Sequence, residues 1–205
     1  PTFMPKQVIL DPELLAGCPP ATIAAAGLDA FIQAFESHTS RFATPFTRAL
    51  SELALVRIAD ALLPLYTGDP GAAADMLEAS YLAGLALSHA RLGVIHGLAH
   101  PLGARFGVPH GLACALCLPA ALAFNRSVLD ADLTRLKKQH GLDVEAKVGA
   151  WLEAMRLENP LAGRAVADRD AFIRETLASG STAANPRPVT AEDASDLLDA
   201  VLRGP

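Results

Sequence analysis

Aromatic side chains are scarce in this chain: Phe, Tyr and Trp together make up 5% of its 205 residues, with a single tryptophan. Sheets lean on aromatic and β-branched residues, whereas the alanine and leucine that dominate here are strong helix formers. The scarcity argues against a sandwich or barrel and for packed helices. Positive charge is also short, with 17 Lys and Arg against 22 Asp and Glu and a net charge of −5. Without a basic block or basic–aromatic interleaving there is no electrostatic footprint for a phosphate backbone, and nucleic acid is not an expected partner. The three cysteines, Cys18, Cys114 and Cys117, are too few and too odd in number for a disulfide framework, and they fit reduced thiols in a cytoplasmic protein. No apolar run is expected to reach bilayer length, and the first residues lack the basic-then-apolar order of a signal peptide, so no membrane contact is expected. Also missing is any G-x-G-x-x-G, the glycine pattern that seats a dinucleotide pyrophosphate on a helix N-terminus.

What is present is a large apolar fraction, 51% against 19% charged residues, enough to fill the core of one sizeable domain. The chain is organised around the stretch from Gly93 to Asn125, which holds His96, His100 and His110. His96 and His100 are four residues apart, so on a helix both imidazoles share one face. Pro101 lacks an N–H and disfavours helix before it, which predicts a helix end or kink at about His100. Leu102–Pro109, with two glycines and a second proline, reads as a loop, and His110 opens the next apolar run. Helix, turn and helix can thereby bring His96 and His110 to one point. Imidazole is the commonest side-chain metal ligand. A single histidine in an apolar helix is more often a hydrogen-bonded core or cap residue than a ligand; it is the three together, in the least charged part of the chain, that raise the metal reading. The H-x-x-x-H spacing also belongs to zinc proteases, but the general-base Glu of that motif is replaced by Gly97, which removes the protease chemistry. Cys114 and Cys117 form a C-x-x-C inside an apolar run with no second cysteine pair, and core packing is the expectation for both.

In chain order, Gln7–Leu10 reads as one short strand followed by a turn and an extended link through Cys18-Pro19-Pro20. A single strand cannot satisfy its own backbone groups, so it needs a partner outside this stretch. From position 21 the pattern is helical: Thr22 caps a helix carrying residues 24–36, on which Asp29 and Gln33 share a face, either as a solvated polar pair or as two oxygen ligands. Thr44-Pro45 opens a helix to Leu65, residues 72–93 form another with His89 as a structural residue, and the helix after His110 fades near Asn125. Amphipathic helices over residues 129–140 and 143–158 follow, the second anchored by Trp151, then a short one over 168–178. Thr190 with Asp193 forms a variant capping box for a last helix over 191–202.

The run HGLAHPLGARFGVPHG, the apolar helix after it, the segment Gly27-Leu28-Asp29-Ala30 followed by Glu36, Asp11-Pro12-Glu13-Leu14 with Pro19-Pro20, and Asn185-Pro186-Arg187 closely resemble the iron-containing (group III) alcohol dehydrogenases across nearly the whole chain. The resemblance implies an all-α, multi-helix C-terminal domain of the dehydroquinate synthase-like fold, with one leftover N-terminal β-strand. Residues 1–20 would be the trailing strand and link of an absent nucleotide-binding domain, and 21–205 the helical metal-binding catalytic domain. In that family a divalent metal, usually Fe2+ and sometimes Zn2+, faces a domain that binds NAD or NADP. Carried over residue by residue, Asp29, His96 and His110 match metal ligands, and His100 matches the non-ligand histidine assigned to proton relay. The ligand four residues after the aspartate is usually His; here it is Gln33, a weaker donor. The nucleotide domain's glycine-rich segment has no counterpart, so the expected chain is a separate domain, a proteolytic piece or one half of a divided gene, inactive alone.

The expected chemistry is polarisation of an alcohol or aldehyde oxygen by the metal during hydride transfer, with His100 carrying a proton. The expected partners are a small alcohol or aldehyde, the nucleotide-binding domain, and a second copy of the chain through the orphan strand. The alternatives are a metal-free, non-catalytic domain of the same fold with an assembly or regulatory role, a maleylacetate reductase-like enzyme, or an all-helical metal-dependent hydrolase, for which no second His/Asp cluster is present.

Overall fold

The computed structural model describes residues 5–204. Eight α-helices account for the domain: α1 (Pro20–Thr39), α2 (Pro45–Tyr66), α3 (Ala73–Ala90), α4 (Val94–Phe106), α5 (His110–His140), α6 (Val144–Ala154), α7 (Arg169–Ala178) and α8 (Ala191–Arg203). Three short 3₁₀ turns, Pro12–Leu15, Pro70–Ala72 and Thr182–Ala184, join them. Helix starts follow local chemistry. Thr44 accepts from the Thr47 N–H in a reciprocal capping box ahead of Pro45, and Thr190 and Asp193 do the same for α8. Asp143 and Asp168 cap α6 and α7 by accepting from Ala146 and Ala171. Gly107 and Gly141, both at φ 66°, end α4 and α5 in the left-handed conformation that glycine adopts without a Cβ clash.

α1 is the central element. It packs on α2, α3 and α5, while α4 lies against α5 and α7, and α8 closes over α5 and α7. Leu28, Phe31 and Ile32 of α1 are fully buried, and the Phe31 ring meets Trp151 edge-on with centroids 4.9 Å apart, so the single tryptophan is indeed a core anchor.

Several expectations about elements need correction. The strand over Gln7–Leu10 is not formed: among the described residues there is no β-ladder, so these backbone groups have no partner, and Ile9 is 79% exposed. α1 begins at Pro20 with Pro19 before it, so Thr22 lies inside the first turn rather than at the cap. The helix does not stop at His100; α4 runs through Pro101 to Phe106, and the loop shrinks to residues 107–109. The residue four back from Pro101 is Gly97, and proline's missing N–H forfeits one hydrogen bond without breaking the turn. The helix entering at His110 does not fade near Asn125 but continues through Pro119 to His140. That makes α5 long and apolar enough, by length and composition, to cross a membrane, contrary to the expectation from the sequence. Half of its most apolar window is buried inside the domain, against α1, α4 and α8, as befits a core helix. The bend the sequence hides lies instead before the histidines: α3 and α4 meet at 105° across residues 91–93, where Arg91 takes φ 63°.

Candidate metal centre

His96 sits in the first turn of α4, where backbone N–H groups lack intrahelical acceptors. Two side chains from distant segments supply them. Asn185 Oδ1 accepts from the Val94 N–H at 3.2 Å, and the buried Glu36 carboxylate accepts from the Ile95 N–H at 2.7 Å and the His96 N–H at 3.4 Å. Glu36 is a negative group at the positive end of the helix, a favourable placement. Gly93 makes this approach physically feasible: a Cβ there would stand 2.6 Å from Glu36 Oε1. Asn185 is held in turn by paired amide bonds with Asn125 of α5, at 2.8 and 3.2 Å.

Glu36 also accepts from His96 Nδ1 at 2.6 Å. With Nδ1 donating, Nε2 is the ring atom left to face the cleft, where it lies 3.2 Å from Asp29 Oδ1. A carboxylate behind an imidazole fixes its tautomer and raises its basicity, as it does behind metal-bound histidines. Burial would lower the His96 pKa, but bonds with Asp29, Cys114 and Glu36 carry it up to about 12. Two carboxylates around one buried ring thus create a strong demand for a cation, whether proton or metal.

His110, the first residue of α5, brings Nε2 to 3.5 Å from the same Asp29 oxygen. Its position depends on Gly111, where a Cβ would fall 1.7 Å from the Ala25 carbonyl oxygen of α1. α5 therefore crosses α1 one turn before Asp29, at a distance only glycine permits. The rings of His96 and His110 are 5.3 Å apart, and His100 stacks on His110 at 5.2 Å with a 12° tilt. His100 and His110 are exposed and His96 is buried, so the cleft is open on the His100 side. Burial, then the neighbouring His110 and His96, lower the His100 pKa. Gln33 lies beside the cleft and donates from Nε2 to Asp29 Oδ2 at 2.9 Å.

One residue at the cleft was missed. Cys114 was expected to be core, and it is fully buried, yet its Sγ lies 3.7 Å from His110 Nε2. Burial, above all, pushes its pKa up to about 11. One donor atom each from Asp29, His96, His110 and Cys114 falls within 4.8 Å of the others. The signal was the H-x-x-x-C spacing from His110, which puts ring and thiol on one helical face. Cys117 is buried outside this group, as expected of a core residue.

The family model for the C-terminal part of the Fe-containing alcohol dehydrogenases matches residues 23–202. The chain belongs to this family. It is 35% identical over 211 residues to the lactaldehyde reductase of Escherichia coli, covering 96% of this chain and 55% of that protein. It is 36% identical over 222 residues to the 1-propanol dehydrogenase PduQ of Salmonella typhimurium, covering 97% and 60%. Among solved structures, the iron-containing alcohol dehydrogenase of Thermococcus thioreducens superposes with a TM-score of 0.87 at 28% identity, over 96% of this chain and 55% of that one. The family membership and the all-helical C-terminal fold inferred from the histidine stretch are thus established, and the chain spans little more than half the length of these relatives.

Proposed function

We propose that this domain is the metal- and substrate-binding part of an NAD(P)-dependent alcohol dehydrogenase, holding a divalent ion through Asp29, His96 and His110. The observation that carries this reading is the Glu36–His96–Asp29 chain, 2.6 Å on one side of the ring and 3.2 Å on the other, which aims a basic Nε2 at a carboxylate beside a third donor, His110. The donors fit a divalent first-row ion: one carboxylate oxygen and two imidazole nitrogens, in a cleft that already carries excess negative charge. Family membership favours iron, with zinc as the alternative. When bound, the metal supplies Lewis acidity to the oxygen of a small alcohol or aldehyde.

The remaining work falls to the chain's own residues. Gln33 holds the second oxygen of Asp29 and contributes at most a weak donor of its own. His100, with its pKa held below the ordinary value, is neutral at pH 7 and takes up the alcohol proton at a ring nitrogen, passing it to solvent on the open side. The nicotinamide comes from a nucleotide-binding domain that residues 1–20 lead out of, and the whole acts in the cytoplasm. Elemental analysis of chain purified without oxygen or chelator tests the assignment. Near one equivalent of iron or zinc is expected in the wild type, and His96→Ala or His110→Ala should abolish it; full metal content in either variant sinks the ligand set. An empty wild type that fills in Gln33→His would assign the domain a decayed site on an intact scaffold.

A further inference from the structure

Gln33 stands where the family's usual fourth ligand is a histidine, and its amide is engaged with Asp29. The cleft nevertheless has a fourth strong donor. We infer that Cys114, not Gln33, completes the metal centre, and that its sulfur turns the site towards zinc. The inference rests on the metal centre proposed above and adds a residue and a preference to it.

The geometry supports a single ion. Asp29 Oδ1 is 3.2 Å from His96 Nε2 and 3.5 Å from His110 Nε2, and His110 Nε2 is 3.7 Å from Cys114 Sγ. With zinc bonds of about 2.0–2.2 Å to nitrogen or oxygen and about 2.3 Å to sulfur, the edges of a tetrahedron of such donors are roughly 3.4–3.6 Å. The three measured separations lie within a few tenths of an ångström of those edges, and all four donor atoms fit within 4.8 Å of one another. The donors also sit on rigid elements. His110 and Cys114 share one face of α5, and α5 is pressed onto α1 at Gly111 and Ala25, a turn from Asp29. Ligation replaces the thiol S–H by an S–metal bond, and the proton leaves to solvent. Exchanging an imidazole for a thiolate softens the site, which favours zinc over harder choices.

Anaerobic titration of the 205-residue chain with Co2+ tests this directly. One equivalent should bind with a thiolate-to-cobalt charge-transfer band in the near ultraviolet. Cys114→Ser should lose the band and weaken Zn2+ binding by at least about tenfold, since even outer-sphere partners of a ligand carry that much. Cys18→Ser and Cys117→Ser should keep the band. X-ray absorption at the zinc edge of the wild type needs no variant to fold, and should show a sulfur scatterer at about 2.3 Å. Stoichiometric cobalt or zinc with no sulfur signal, or a band that survives Cys114→Ser, overturns the role of Cys114 and leaves the metal centre standing. A wild type that takes up no metal overturns both.

Discussion

Two histidines are buried to nearly the same degree in this domain, and their surroundings move their pKa values in opposite directions. His96 is 1% exposed and lies between the carboxylates of Glu36 and Asp29. His38, at the last turn of α1, is fully buried with Nδ1 3.1 Å from Ser51 Oγ and Nε2 2.7 Å from an Arg135 guanidinium nitrogen. Burial disfavours the charged ring at both. At His96 the bonds to carboxylates override it and the pKa rises; at His38 burial wins, against Asp132 and Glu52 and with Arg48 and Arg135 adding to it, and the pKa falls. The His38 cluster has its cations built in. Arg135 is paired with Glu52 at 2.5 Å, Arg48 with Asp132 at 2.8 Å, and His140 with Glu52 at 2.7 Å, which bolts α1, α2 and α5 together. Among the described residues, the carboxylates of the His96 cluster pair with histidines and with no Lys or Arg. That is the difference between a structural histidine and a candidate ligand, and it lies in the neighbours, not in the residue or its burial.

The largest effect comes from removing one carboxylate from each cluster: Glu36, which holds the His96 ring, and Glu52, which holds Arg135 beside the His38 ring. Glu36→Ala strips the acceptor from two helix N–H groups and one imidazole in a buried site, and should cost about 3–5 kcal/mol, as breaking a buried pair does. Metal content should fall with it. Glu52→Ala at the other cluster removes a partner that is 21% exposed, so water can replace it and the cost should stay near 1 kcal/mol or below. Urea denaturation of both variants checks the comparison, and equal losses would mean that the two clusters are structural in the same way.

A smaller effect should come from the helix crossing that only the His110 side possesses. In Gly111→Ala the new methyl meets the Ala25 carbonyl oxygen, a backbone atom that cannot swing aside. Overpacking of this kind costs about 1–3 kcal/mol. Because α5 must lift from α1 to relieve it, His110 and Cys114 move away from Asp29, and metal affinity should drop more than stability does. Isothermal titration beside thermal melting separates the two. A variant that loses stability and binds metal as before would remove Gly111 from the account of the site.

How far the sequence could go is clear from these same residues. His96, His100 and His110 were legible because a four-residue spacing and a short turn are local facts, and Asp29 came through resemblance to a family segment. Gly93 and Gly111 lie in the histidine stretch, but the reasons for glycine there are tertiary: one faces Glu36, the other a carbonyl of α1. Glu36 and Asn185 could be noticed in family-like segments, yet nothing local says that they cap a helix 59 and 91 residues away. Cys114 was read as core because an apolar neighbourhood and a buried ligand look alike in one dimension. The strand at Gln7–Leu10 was locally plausible, and no ladder forms among the described residues because strands require a partner that propensity does not provide.

The smallest effect is the sharpest test of opposite sign. His38 fits its site only as neutral imidazole: Nδ1–H donates to Ser51, and Nε2 accepts from Arg135. A second proton would place N–H against guanidinium, consistent with a folded-state pKa below the ordinary 6.5. On acidification the unfolded chain then takes up this proton before the folded chain does. Stability from His38 is therefore complete above pH 6.5 and drains as pH falls through that value towards the folded pKa, at no more than about 1.4 kcal/mol per pH unit for one proton. His96 in chelator-treated protein runs the other way, since its raised pKa gives stability that is complete below 6.5 and is lost as pH climbs towards 12. Melting curves of wild type and His38→Gln between pH 5 and 7.5 isolate the first limb, which should flatten in the variant. If the two profiles stay parallel, His38 takes up its proton alike in the folded and the unfolded chain, its surroundings do not set its state, and the contrast with His96 fails.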